Sequence, residues 1–305
     1  MKYTYKTKYQ SGQALLIVLL ALAVTLTIVL SSVSRSITDI SISTQEADSL
    51  RAFSAAEAGV EESLSSGLPV NTTALSNDAE FTTTVTTSQS GSTFLYPSNR
   101  VSGESATFWF LSHDDDGDIT CSGEPCLAAN SFRVCWGSPS NPVNSSSPAV
   151  EVSLFYDTSG QAVASDNYQN VRVTREAYDG VSTAVRGSVN NFSPASSGCT
   201  IDGNQYRYNS GNISFASLGI PCSGTPGCLM MARVRLLYNE TIPEPVVFST
   251  TPTNGTTFPS QGIQIESLGT AGEATRRVSV YQSYPEFPEI FEAGVFGLQD
   301  LTKSN

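Results

Sequence analysis

Hydrophobic residues fall along this chain in three successive patterns. Residues 13–30, QALLIVLLALAVTLTIVL, are apolar except for Gln13, Thr25 and Thr27. As a helix this stretch spans about 27 Å, close to the hydrocarbon thickness of a bilayer. From residue 31 the apolar positions thin to helical spacing: Ile37, Ile40, Ala47, Leu50, Phe53, Val60 and Leu64 advance by threes, fours and sevens. Between Gln13 and Ala58 there is neither Gly nor Pro, although average usage would place about five or six there. The pattern predicts one uninterrupted helix over residues 13–66, roughly 80 Å long. Its first part, 13–30, is membrane-spanning in character and its second, 31–66, amphipathic. Gly67 and Pro69 supply the stop.

Beyond about residue 67 the period falls from 3.6 to 2. EFTTTVTT, ATFWFL, SFRVCWG, AVEVSLFYD, NVRVTREAY, LMMARVRLLY, EPVVFST and RRVSVYQSY read as strands, separated by segments rich in Gly, Pro, Asn and Ser. GIQIESLGTAGEATRRVSVYQ reads as a hairpin with a five-residue loop containing two glycines. The expected fold is α+β: a long amino-terminal helix followed by a large antiparallel β-rich head over 67–305. A division of that head near residue 200 has no clear linker to mark it. Arg172, Arg233, Arg235, Arg276 and Arg277 lie in these strands, where solvent-facing positions with acidic cross-strand partners are expected.

Charge fixes an orientation and removes a class of partner. Lys2, Lys6 and Lys8 precede the apolar run and no acidic residue does, so the amino end stays cytoplasmic and the remainder crosses. A secretory signal, a plain anchor and a retained helix all satisfy this rule. The net charge of -12 argues against nucleic acid as a partner. Only 14% of residues are charged, a composition suited to an exported β-rich protein.

A short basic leader ending in Gly12, an apolar segment, and a continuing helix that carries FSAAEAGVEE together resemble type IV pilins and pseudopilins, more narrowly the PilX-type minor pilins. The stretch QGIQIESLGTAGEATRRVSVYQSYPEFPEIFEAGVFG is similar to the endings of large pilus proteins of this kind. The resemblance implies a leader over 1–12, cleavage by a prepilin peptidase between Gly12 and Gln13, and N-methylation of Gln13. It also implies other pilin subunits and the membrane as partners, and a path from the cytoplasmic membrane to the cell surface or pilus. Two positions depart from the family pattern. Gln13 stands where a Phe is usual, and Ile17 stands where a Glu is usual. In the family that carboxylate is thought to pair with a neighbour's terminal ammonium, so its loss points to a tip or initiation position rather than the repeating fibre body.

The six cysteines all lie beyond the apolar run, as disulfides of an exported domain would. CSGEPC and CSGTPGC are similar, and each can close a tight loop, Cys121 with Cys126 and Cys222 with Cys228, leaving Cys135 with Cys199. Six cysteines allow 15 connectivities, and a four-cysteine zinc site is the sharper alternative, although its usual spacing is two residues. SHDDDGDITCSGE, residues 112–124, is the candidate for metal chemistry. Its oxygen ligands alternate around Gly117, so that Ser112, Asp114, Asp116, Asp118 and Glu124 would converge on calcium. The plain alternative is a solvated acidic turn. Trp109, Trp136 and Tyr156 are either core residues or part of a binding site.

No catalytic constellation is legible, and an enzyme is not expected. His113 is the only histidine, GVSTA lacks the last Gly of a nucleophile elbow, and phosphate-loop and zinc-protease motifs are missing. Two functions remain. One is a structural minor pilin or pseudopilin whose head serves adhesion or filament assembly. The other is a single-pass anchored surface adhesin with a calcium-stabilised binding loop.

Overall fold

A computed structural model describes residues 13–87, 91–114, 117–122, 126–160, 162–165 and 168–285. The fold is α+β: one helix, Gln13–Ser66, and a large, mainly antiparallel set of strands. All eight segments read as strands are strands, among them Ala149–Asp157 and Leu229–Leu237. The chain forms two compact units, residues 1–85 with 265–280 and residues 86–264 with 281–305, and passes between them three times. No division falls near residue 200. The first unit takes strands from both ends of the 67–305 region, so it does not follow the change in sequence period at residue 67.

In the first unit the helix ends at Gly67, whose φ of +68° and N–H bond to the Ser63 carbonyl form a left-handed cap. A four-stranded sheet carries the strands Thr73–Ala74, Ala79–Thr87, Gly262–Ala271 and Ala274–Ser283 in that order; Gly262–Ala271 begins in the second unit, and Ala79–Thr87 and Ala274–Ser283 end in it. The helix face buried in this unit is Ala52, Ala55, Ala56, Gly59, Val60 and Ser63. The large apolar side chains of the expected stripe mostly face outward instead, Ile37 and Ile40 at 64% exposure and Leu50 at 69%. Distance explains this. A Cβ on Gly269 would lie 2.0 Å from the Ala52 carbonyl oxygen, and one on Gly59 would lie 2.6 Å from the Phe81 ring. Helix and strand approach too closely for anything but Gly, Ala and Ser. The same contact corrects the hairpin reading. Gly269 belongs to the strand, and only Gly272 and Glu273 connect Ala271 to Ala274, with Gly272 at φ +54°.

The second unit is built on two sheets sharing one core. One runs Ser193–Pro194, Val171–Asp179, Ala149–Asp157, Leu229–Leu237, Ser105–Trp109, with only its first, two-residue pairing parallel. The other runs Ser196–Ile201, Asn204–Asn209, Ala129–Trp136, Val246–Pro252, Thr93–Leu95, with Ile213–Ser214 also pairing to Ala129–Trp136. Between them pack Phe94, Phe108, Phe132, Trp136, Val152 and Phe248, and the Phe108 and Phe248 rings lie 5.1 Å apart across the two sheets. Trp136 is fully buried and donates its indole N–H to the Pro148 carbonyl at 3.0 Å, so it is a core residue; Tyr156 packs partly buried against the same core.

The strand arginines do not share one environment. Arg277 pairs with Glu266, Arg276 donates to Ser49 Oγ, and Arg235 stands opposite Glu151 in the strand register. Arg233 departs from the expected solvent-facing position: it is 1% exposed, with its Nε 3.4 Å from Thr107 Oγ1. It occupies an interior strand of the five-stranded sheet, where neighbours on both sides remove solvent.

Candidate functional site

Two features bear on function, one in each unit, and the helix is the first. It is the one described element long and apolar enough to cross a membrane, and its apolar window is not buried in the protein. A polar group in hydrocarbon must find its partner within the segment. The helix meets that condition: Thr25 Oγ1 donates to the Leu22 carbonyl at 3.0 Å and Thr27 Oγ1 to the Val24 carbonyl at 2.8 Å. The segment therefore presents an apolar exterior without orphaned hydroxyls. Residues 1–12, including Gly12 of the anticipated cleavage point, lie outside the described residues. At its other end the helix is tied to its sheet by the small-residue contact, by Ser63 Oγ to Thr83 Oγ1 at 2.6 Å, and by Arg276 to Ser49. FSAAEAGVEE thus supplies the close contact with Gly269 of the strand that begins GIQIESLG, so the two stretches that carry the resemblance meet in one unit.

The second feature surrounds the acidic loop, which folds as a hairpin. Ser112–His113 pairs antiparallel with Ile119–Thr120, Ser112 opposite Thr120. The turn is shaped by its own acids. Asp114 Oδ1 accepts the Asp118 N–H at 2.9 Å, the Asp114 N–H donates to the Asp118 carbonyl at 3.0 Å, and Gly117 takes φ +85°. Ser112 is buried in its strand while Asp114 and Asp118 are exposed at the turn. Asp116 and Glu124, the other two candidate calcium ligands, lie outside the described residues. Among the described residues no group of three or more His, Cys, Asp or Glu is placed to hold a metal ion.

Disulfides anchor the surroundings of this hairpin. The Cα atoms of Cys121 and Cys126 are 5.2 Å apart, those of Cys222 and Cys228 5.7 Å, and those of Cys135 and Cys199 6.2 Å, each pair bonded. Cys126 is buried with Leu111 and Met230 beneath Ile119 and Val163, so the first bridge fastens the outgoing end of the hairpin to the core.

Beside the hairpin opens a pocket of about 590 Å³. Trp109 and His113 form its buried part, Tyr168 and Asp118 its exposed rim, and Gly117, Ile119, Val163 and Pro285 complete it. The His113 ring lies 4.7 Å from that of Trp109, edge to face, and stacks on Tyr284 at 3.8 Å. Trp109 is held from behind by Gln261, whose Oε1 accepts the Trp109 N–H at 2.6 Å and whose Nε2 donates to the Trp109 carbonyl at 2.8 Å. The side-chain amide thereby imitates a neighbouring strand. Two nitrogens of this pocket, Trp109 Nε1 and His113 Nδ1, are buried and have no hydrogen-bond partner among the described residues. Tyr168, Gln261, Tyr284 and Pro285 carry no local motif that marks them. The singleness of His113 was the signal available, and it points to a site only once Trp109, four residues earlier, is seen against it.

Burial lowers the His113 imidazole to about 4, against a smaller raising influence from Asp114. Trp109 and Tyr284 flank its ring, and Asp118 lines the same pocket. The unfolded chain takes up this proton near pH 6.5 and the folded chain only near pH 4, so the full contribution is present above pH 6.5 and is lost as the pH falls toward 4. Unfolding by urea should show the protein about 2–3 kcal/mol less stable at pH 4.5 than at pH 7 from this group alone. His113→Gln should remove that increment from the pH profile; an unchanged slope in the variant would assign the loss to other groups.

Set against known proteins, the chain matches no family model, and neither a curated protein nor a solved structure matches it at a significant level.

Proposed function

We propose that this chain is a structural subunit of a type IV pilus-like filament system, of the PilX-like minor pilin or pseudopilin kind. It inserts in the cytoplasmic membrane through residues 13–30, is trimmed between Gly12 and Gln13, and carries its β-rich part outside the cell. Lateral packing with the helices of other pilin subunits then builds it into a filament.

The observation that carries this reading is the two-sided use of one helix. Residues 52–63 bury a face of small side chains against the sheet of their own unit. Residues 14–30 bury nothing, satisfy their threonines internally, and continue without a break into the packed part. A cleaved secretory signal has no reason to be continuous with a helix built into the fold. Such a helix dissolves in lipid and exchanges lipid for other helices at little cost, because neither environment demands a polar partner. The absence of a carboxylate at Ile17 suits a tip or initiating position.

Mass spectrometry of the amino-terminal peptide, on protein from membranes and from sheared surface material, tests the reading. A chain beginning at methylated Gln13 in both fractions is the expected result. An intact Met1 confined to membranes would replace the filament subunit with a plainly anchored surface protein.

A further inference from the structure

The pocket beside the acidic hairpin has features that the subunit role does not use. Its buried part is aromatic, Trp109 against His113, and Tyr168 stands at its rim with 42% of its surface exposed. One carboxylate, Asp118, lies at the same rim, its backbone fixed by Asp114 while its side chain faces outward. Trp109 and His113 are 7% and 9% exposed, and each keeps one ring nitrogen without a partner among the described residues. A buried polar atom without a partner is unfavourable, so two of them on neighbouring rings invite an occupant that supplies oxygen. The His113 ring is held edge to face against Trp109 and stacked on Tyr284. The walls are stiff: Gln261 locks the Trp109 backbone from both sides, and the Cys121–Cys126 bridge holds the hairpin.

Ligand classes separate on these features. An anion meets Asp118 at the rim and Asp114 next to it, with no cationic side chain among the described residues that line the pocket. An organic cation gains the aromatic faces and Asp118 but faces an indole N–H, whose dipole presents its positive end. An apolar ligand leaves both nitrogens unpaired. A neutral ring that carries hydroxyl groups satisfies every group: its C–H face lies on an aromatic ring, its hydroxyl hydrogens go to Asp118, and its oxygens accept from the ring nitrogens. A space of about 590 Å³ holds one or two such rings. We propose that the second unit binds a neutral carbohydrate in the pocket between Trp109, His113, Asp118 and Tyr168. This lies wholly within residues 86–264 and 281–305 and stands whether or not the helix enters a filament.

The test uses the full chain in a detergent without a sugar headgroup, in calcium-containing buffer. The methyl glycosides of glucose, galactose, mannose and N-acetylglucosamine are titrated one at a time and followed by saturation-transfer NMR. Saturable transfer to at least one glycoside is expected, weakened at least about tenfold by Asp118→Asn and likewise by Tyr168→Ala. Both residues are exposed, so both variants should keep the circular dichroism spectrum of the parent. The proposal is overturned if no glycoside shows saturable transfer, if affinity is unchanged in the two folded variants, or if tetramethylammonium displaces the glycoside from the same pocket with higher affinity. Loss of this proposal leaves the amino-terminal processing untouched, and an unprocessed amino terminus leaves the glycoside titration untouched.

Discussion

Replacing Gly269 by valine should separate the helix from its sheet and cost the first unit more than about 3 kcal/mol, with the second unit's core intact. The reason is geometric. Gly269 faces the main chain of the helix, and even one methyl group there would sit 2.0 Å from the Ala52 oxygen and 2.5 Å from the Ala56 nitrogen. Backbone atoms of a helix cannot rotate aside as a side chain does, so the strand must move away from Ala52, Ala55, Ala56 and Gly59 together. Hydrogen exchange should report it: amides of residues 52–63 and 265–271 lose protection, while those of the Ala149–Asp157 and Leu229–Leu237 strands keep theirs. Gly59→Ala should act in the same direction with a smaller loss, since the atoms it meets are the Ser267, Phe81 and Thr83 side chains. Full protection in Gly269→Val would show that the helix and strand have slack that the close contact denies.

The second large effect is expected at Arg186. Its guanidinium is nearly inaccessible and is shared among four partners. Nε and Nη2 donate to the two Asp179 oxygens at 3.0 and 2.7 Å, Nη1 donates to the Ser145 and Ser147 carbonyls, and the group lies 4.1 Å from the Tyr238 ring centroid. Asp179 also accepts from Asn190 Nδ2 and from the Val181 N–H. Removing the cation leaves a buried carboxylate with only neutral donors, and removal of one member of such a pair costs about 3–5 kcal/mol. Arg186→Met should therefore lower the denaturant midpoint of the second unit sharply. The double variant Arg186→Met, Asp179→Leu should recover part of the loss, because it no longer buries an unpaired charge. Equal loss in the single and double variants would mean that the carbonyl and aromatic contacts of Arg186 carry its contribution rather than the ion pair.

These two sites differ in how far the sequence exposes them. Asp179 and Arg186 are seven residues apart and ordinary in composition, so nothing local tells that they are buried together. Gly269 lies in a stretch that reads as a hairpin, and its glycines suggest a loop. The loop needs Gly272, at φ +54°; Gly269 is required by a helix more than 200 residues earlier in the chain. Arg233 misleads in the opposite way, since an arginine in an alternating strand reads as solvent-facing until the strand is known to be interior.

What the chain alone determined is what local physics controls. The run without Gly or Pro from Gln13 to Ala58 becomes a single helix, and Gly67 ends it with a left-handed cap. Alternating Val, Phe, Tyr and Thr become strands, because a half-buried pleated surface selects for them. The hairpin Ser196–Ile201 to Asn204–Asn209 is not among the segments read as strands from the sequence, although its Asp202–Gly203 turn, where both residues take positive φ and the strands pair directly on either side, is a local signal for one. Tertiary structure decided which face of the helix is buried. The large stripe of Ile37, Ile40 and Leu50 has the stronger hydrophobic signal, yet the small face of Ala52, Ala55, Ala56 and Gly59 packs. Period alone ranks faces by hydrophobicity, whereas packing ranks them by how closely two backbones approach. It likewise decided that Trp109, His113, Tyr168 and Pro285 share one pocket, because separations of that length along the chain are closed only by the sheets and the disulfides that hold them.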